Sequence, residues 1–141
     1  MTVNKRDSVT QPDAGIPALF RPFQLRDLTF KNRVIVTPMC QYSAEDGHAV
    51  DWHLAHHGRF SLGGVGGAFV EASGVTRNGR ITPGCLGIYQ DSHIEGLTKI
   101  VSIYHNQNIP VGIQIAHAGR KGSAAVPLNG AAPLAGSDPS Q

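Results

Sequence analysis

The chain has 141 residues, 12 Lys and Arg against 10 Asp and Glu, and a formal charge of +2, which leaves no dense positive stripe of the kind nucleic acid demands. Apolar residues make up 40%, too many for a disordered chain, and no run approaches the 18 consecutive apolar residues of a membrane span. The length suits one domain, able to bury roughly two-thirds of its unfolded surface.

Residues 1–18 are polar, end in Gly15-Ile16-Pro17 and carry no apolar signal core, so they read as a flexible leader ahead of a domain at 19–141. A cytoplasmic location follows from that reading. Cys40 and Cys85 lack CxxC spacing and are expected to stay reduced. Phe23 and Leu25, then Leu28 and Phe30, alternate around Arg26-Asp27, the pattern of a short β-hairpin. Lys31-Asn32 lead into a strand at Val34–Val36.

Residues 53–62, with Leu54, Ala55, Phe60 and Leu62, read as a helix with Asp51 as its N-cap and Gly63-Gly64 as its stop. Val65–Val70 fits a strand buried on both faces. Val75–Gly87 is rich in turns, with Asn78-Gly79 and Pro83-Gly84 as punctuation. Residues 92–107 form the clearest helix: Ser92 and Glu95 have capping-box spacing, and Ile94, Leu97, Ile100, Val101 and Tyr104 recur at three and four. Pro110–Ala116 then reads as a third buried strand, and 117–141 carries no periodicity.

Helices between strands imply parallel pairing through right-handed crossovers. The fold class is therefore α/β: the N-terminal part of a TIM (β/α)8 barrel, about three βα units preceded by a hairpin. Three strands do not close a barrel, and the outer two would offer unpaired edges.

Barrels and open α/β sheets place ligands at the C-terminal ends of their strands. The first such group is Thr37, Pro38, Met39, Cys40 and Tyr42. Pro38 fixes its own torsion and biases Thr37 toward an extended form, which sets the direction of the Met39 and Cys40 amides. That suits a flavin ring, which needs fixed amides at its edge and polarizable groups on its face; filling core space is the other role open to Met39 and Cys40. Next come Glu71, Ala72 and Ser73. Ala72 allows a flat ligand to approach, and Glu71 either orients an amide or a histidine or sits solvated in a loop. Gln114, inside an apolar strand, either matches the mixed edge of a pyrimidine or bonds a neighbouring strand.

The histidines argue little for a metal. His53 and His57 stand at i, i+4, but the glutamate of an HExxH motif is missing. His56 and His57 cannot share one helix face. His117 is placed to touch a ligand or pack a loop, and Asp51-Trp52 to order the connection into the helix. The glycine run at Gly63–Gly67 precedes a strand, the wrong side for cradling phosphate.

Five ordered segments between residues 19 and 122 together carry a family resemblance. They are Leu19–Phe23 through Asn32-Arg33; Thr37-Pro38-Met39-Cys40-Gln41-Tyr42; Glu71-Ala72 with Gly79-Arg80-Ile81; Leu86-Gly87-Ile88 with Asp91; and Gly112–Lys121. The chain resembles the old yellow enzyme family of FMN-dependent ene-reductases and NADH:flavin oxidoreductases, most closely its bacterial thermophilic-like class. The resemblance implies FMN, with NADPH or NADH as a transient reductant and an α,β-unsaturated carbonyl compound as the small-molecule substrate. It implies that Thr37, Pro38 and Met39 contact the flavin ring and that Cys40 tunes it without a covalent bond. Tyr42 then helps hold the substrate carbonyl, Ala72 bonds the ring through its backbone, and Gln114 pairs with the pyrimidine edge.

In such enzymes a histidine pair from the fourth strand region holds the carbonyl, and later amides hold the phosphate. Both are expected beyond Gln141, which makes this chain inactive by itself, a piece of a longer homo-oligomeric enzyme. Two alternatives remain: a related flavin barrel of the dienoyl-CoA reductase or amine demethylase type, marked by a downstream cysteine cluster, and a non-catalytic interaction remnant, marked by self-association.

Overall fold

Asn32 decides where the hairpin stops and the sheet begins. Its side-chain amide donates to the carbonyl of Gly64 at 2.8 Å, and its Oδ1 accepts the Val34 N–H at 3.0 Å. The chain passes so close here that a Cβ on Gly66 would run into the Asn32 carbonyl, and only glycine fits. A computed structural model describes residues 15–134. The expected leader lies for the most part outside them.

A hairpin of β1 (Phe23–Leu25) and β2 (Leu28–Phe30) comes first, with Phe23 opposite Phe30. Arg26 has a φ of 54°, the left-handed turn geometry such a two-residue loop requires. Then follow β3 (Ile35–Val36), α1 (Asp51–Leu62), β4 (Gly67–Gly74), α2 (Ile94–His105) and β5 (Val111–Ala116). The three later strands form one parallel sheet in the order β3-β4-β5. The expected sequence of hairpin, strand, helix, strand, helix, strand holds.

Both helices pack on one side of the sheet. Val36, Ala68 and Val70 from the strands meet Ile100 and Tyr104 from α2, with Leu86 and Ile109 sealing the ends. Burying a side chain such as Ile100 contributes about 1.5–3 kcal/mol. The other side stays open: Phe69 is 44% exposed, and no residue of β5 is buried. The central strand β4 is buried on both faces except at Phe69, as its apolar composition had suggested, whereas β5 at the edge is not. At the N-terminal end of the strands Phe23, Leu25, Phe30, Ile35 and Phe69 line an apolar cleft of about 410 Å³.

Three local expectations are corrected. Asp51 is the first residue of α1, not its cap; the capping position is Val50, whose N–H donates to His53 Nδ1 at 3.1 Å. Ser92 and Glu95 form no capping box. A 3-10 turn at Asp91–His93 leads into α2, Ser92 Oγ lies 3.0 Å from His48 Nε2, and Glu95 takes Lys99 at 2.7 Å. A competing partner for each side chain won over the local pairing. The second strand begins at Gly67 and runs through Glu71-Ala72-Ser73 to Gly74, so those residues belong to the strand.

The buried face of α1 was also unexpected. His53, His56, His57 and Ser61 are buried, while Leu62 is 83% exposed. Polar groups enter a core only with partners, and α2 supplies them. The Tyr104 hydroxyl lies 2.8 Å from His57 Nδ1, and Ser61 Oγ donates to the Ile103 carbonyl at 2.9 Å. Burial, followed by the neighbouring His56 and His53, pushes His57 down to about 4, so its ring is neutral near pH 7.

Candidate active site at the strand ends

The parallel order puts the C-terminal ends of β3, β4 and β5 on one rim, where the chain leaves each strand for a loop. Thr37 and Met39 follow β3 and are exposed, alternating with the half-buried Pro38 and Cys40. Gln114 in β5 is also exposed, and its side-chain amide has no hydrogen bond among the described residues. It makes no bond to β4, the strand that borders β5 here.

Between Val70 and Ser73 the register of β4 against β5 slips by one residue. Such a bulge re-aims the side chains beside it. Glu71 is only 1% exposed and is no solvated loop carboxylate. Its Oε2 accepts the Gln41 N–H at 2.9 Å, and its Oε1 stands 3.2 Å from His53 Nε2. That second contact is a close approach without hydrogen-bond alignment. Gln41 continues the chain of bonds, donating to the Met39 carbonyl at 2.8 Å and accepting from Trp52 Nε1 at 3.1 Å. The Gln41 backbone is thus held by a carboxylate, and its side chain by an indole and the Met39 carbonyl.

Cys40 lies at the meeting point of the first two rims. Its thiol interacts with the Ala72 backbone amide and with the Cys85 thiol, and the Tyr42 side chain reaches it as well. The structure thereby brings Cys40, Tyr42 and Ala72 together. Tyr42 has a φ of 54°, an uncommon conformation for a bulky residue. It is sustained by the turn beneath: Ala44 N–H donates to the Gly84 carbonyl at 2.9 Å, and a Cβ on Gly84 would lie 2.5 Å from the Tyr42 carbonyl. Cys85 is fully buried, with Thr82 Oγ1 at 3.5 Å from its sulfur. The Cys40 contact, aided by the Thr82 hydroxyl and nearby backbone amides, draws Cys85 down to about 6. The same contact, with burial, pushes Cys40 up. Burial likewise raises the Tyr42 phenol above its usual range.

Sequence reasoning passed over the groups that brace this rim. Asp46 holds Arg77 at 3.2 Å and Arg80 at 3.9 Å, and its carbonyl takes the Tyr89 hydroxyl at 3.2 Å and lies 3.1 Å from His93 Nε2. The basic pair Arg77 and Arg80 is thus tied to an acid. Asp46-Gly47, with φ values of 46° and 82°, is an Asp-Gly hairpin turn, the one local signal that could have marked the spot. His117 packs against Gly79 and accepts the Gly119 N–H at 3.1 Å. Among the described residues no three His, Cys, Asp or Glu side chains converge as a metal site, and no helix is long and apolar enough to cross a membrane.

Comparison with known proteins points one way. Residues 18–138 match the NADH:flavin oxidoreductase / NADH oxidase family. An NADH:flavin oxidoreductase of Gibberella zeae is 46% identical over 114 residues, covering 81% of this chain and 28% of the relative. An NADPH dehydrogenase of Bacillus subtilis is 47% identical over 105 residues, covering 73% and 31%. The solved old yellow enzyme from Trypanosoma cruzi superposes with a TM-score of 0.66 at 31% identity, over 75% of this chain and 28% of that one. The chain spans about a third of the length of such relatives.

Proposed function

The chain belongs to the NADH:flavin oxidoreductase / NADH oxidase family, and on that premise we propose that its three strand ends hold the ring of FMN for reduction of activated C=C bonds by NADPH or NADH. One observation carries the reading. Three parallel strands end on a single rim that presents braced backbone amides, a thioether and an uncommitted side-chain amide toward the open side of the sheet.

The donor set fits such a ring. Gln114 brings a donor and an acceptor on one amide, the combination a pyrimidine edge needs. Thr37 and Pro38 set the backbone beside the ring, and the Met39 thioether supplies a polarizable face. Ala72 brings its backbone against the ring at the bulge, and the Cys40 thiol tunes the site without bonding covalently. The chemistry that FMN supplies when bound is two-electron: hydride taken from a nicotinamide and delivered to the β carbon of an α,β-unsaturated carbonyl compound. The Tyr42 hydroxyl, protonated throughout the neutral range, donates to the substrate carbonyl.

The 141-residue chain by itself holds FMN loosely and does not turn over, because Thr37, Met39 and Gln114 face solvent and β3 and β5 each border only one strand. Titration of FMN with the purified chain, followed by flavin fluorescence, tests this. A weak saturable quench that Gln114→Leu diminishes is expected. No saturable quench in the parent chain would overturn the ring site, and retention of stoichiometric FMN through gel filtration would overturn the loose binding.

A further inference from the structure

Two thiols 45 positions apart in the chain are brought into interaction beneath the rim by loops that meet at Gly84, and nothing in the proposed hydride chemistry uses the inner one. Cys40 is half-buried and opens toward the rim, whereas Cys85 is 1% exposed. The loops that carry them are laced on both sides of the pair. Ala44 N–H bonds the Gly84 carbonyl, Gly84 sits against the Tyr42 carbonyl, and Thr82 Oγ1 both accepts the Gly84 N–H at 3.2 Å and touches the Cys85 sulfur. Cys40 belongs to the connection between β3 and α1, outside any strand ladder. Its approach to a sulfur–sulfur bond of about 2.05 Å therefore leaves the sheet hydrogen bonds intact.

We propose that Cys40 and Cys85 are an oxidisable dithiol, with Cys40 the attacking thiol and Cys85 the resolving one, and that low-molecular-weight disulfides convert the pair to an intramolecular disulfide. The asymmetry of the site assigns the roles. Only Cys40 meets solvent, so it attacks one sulfur of the small disulfide, forming a mixed disulfide and expelling one small thiolate, and its proton passes to Cys85. Cys85 loses that proton to the expelled thiolate and attacks the Cys40 sulfur. The Cys40–Cys85 bond forms, the mixed bond breaks, and the second small thiolate departs. Two electrons move from the protein pair to the small disulfide, which ends as two thiols. Once Cys40 has given up its proton, the Thr82 hydroxyl and the nearby backbone amides still favour the Cys85 thiolate, the form that exchange requires.

The bond itself does not depend on the flavin reading. Its consequence does: oxidation would remove from the rim the Cys40 proton and thiol that the proposed ring lies near.

The test uses oxidised glutathione on the whole 141-residue chain, in its native state, followed by alkylation and peptide mapping. The expected product has lost two hydrogens, carries no glutathione and yields a linked Cys40–Cys85 peptide; dithiothreitol restores both thiols. In Cys85→Ala the glutathione adduct is expected to persist on Cys40, because the resolving sulfur is gone. Parent chain that retains glutathione on Cys40, or whose two cysteines both remain alkylatable after oxidation, would overturn the proposal. These readouts contain no flavin, so their failure is separate from failure of the FMN site.

Discussion

The backbone N–H of Gln41 donates to a carboxylate oxygen of Glu71, thirty residues further along the chain, at 2.9 Å. This bond joins the end of β3 to the bulge of β4, and through His53 it reaches into α1. The loop after the first parallel strand is therefore held by a buried acid as well as by its own local bonds.

Glu71→Ala should loosen that loop and leave both the Gln41 amide and the His53 ring without their partner. Leaving a buried donor without its acceptor costs about 1–3 kcal/mol. Urea denaturation measures the loss, and amide exchange at Gln41 localises it. Glu71→Gln keeps an oxygen for the Gln41 N–H and should cost clearly less. Equal midpoints for Glu71→Ala and the parent would contradict the role.

Stability should fall on mild acidification. His57 titrates at about 4 in the folded chain, below the usual 6.5, because of burial and then of His56 and His53; His56 is lowered as well, by burial and Arg59. Above pH 6.5 the His57 ring is neutral whether folded or not, and its full contribution is present. As pH falls from 6.5 to 4 the unfolded chain takes up a proton that the folded chain refuses, and up to ~3 kcal/mol is lost. Thermal melts across that window should show the decline, and His57→Gln should flatten it. A flat profile in the parent would refute the assignment.

Tyr104→Phe keeps the ring that fills the core between the helices but removes the hydroxyl 2.8 Å from His57 Nδ1. The cost should be ~1–3 kcal/mol for a buried polar atom left unpaired. In a double-mutant cycle with His57→Leu the penalty should shrink, since the orphaned nitrogen is then absent. Additive penalties would show that the contact carries no energy.

Gly84→Ala would force a methyl to within 2.5 Å of the Tyr42 carbonyl, a backbone atom that cannot rotate aside. The expected loss is ~1–3 kcal/mol, together with faster native alkylation of Cys85 as the turn lifts off the rim. Unchanged stability and unchanged alkylation would contradict the packing described here.

The hairpin, the element order and the position of the rim were legible in the amino-acid sequence because each is written in neighbouring residues. Alternating Phe23, Leu25, Leu28 and Phe30 need only their turn, and the three-and-four spacing of Ile94 to Tyr104 needs only a helix. Thr37–Tyr42 as a strand end, and Gln114 as a polar residue inside an apolar strand, were found for the same reason.

What tertiary structure alone decided are the features set by residues far apart in the chain. The bulge at Glu71–Ala72 comes from pairing β4 against β5, and with it the turn of Glu71 toward Gln41 and His53. The histidine face of α1 is buried because α2 brings Tyr104 to it. Cys85 meets Cys40 because two loops close on each other around Gly84. A side chain's local pattern states what it tends to do, but which partner satisfies a buried polar group depends on what the fold carries to it.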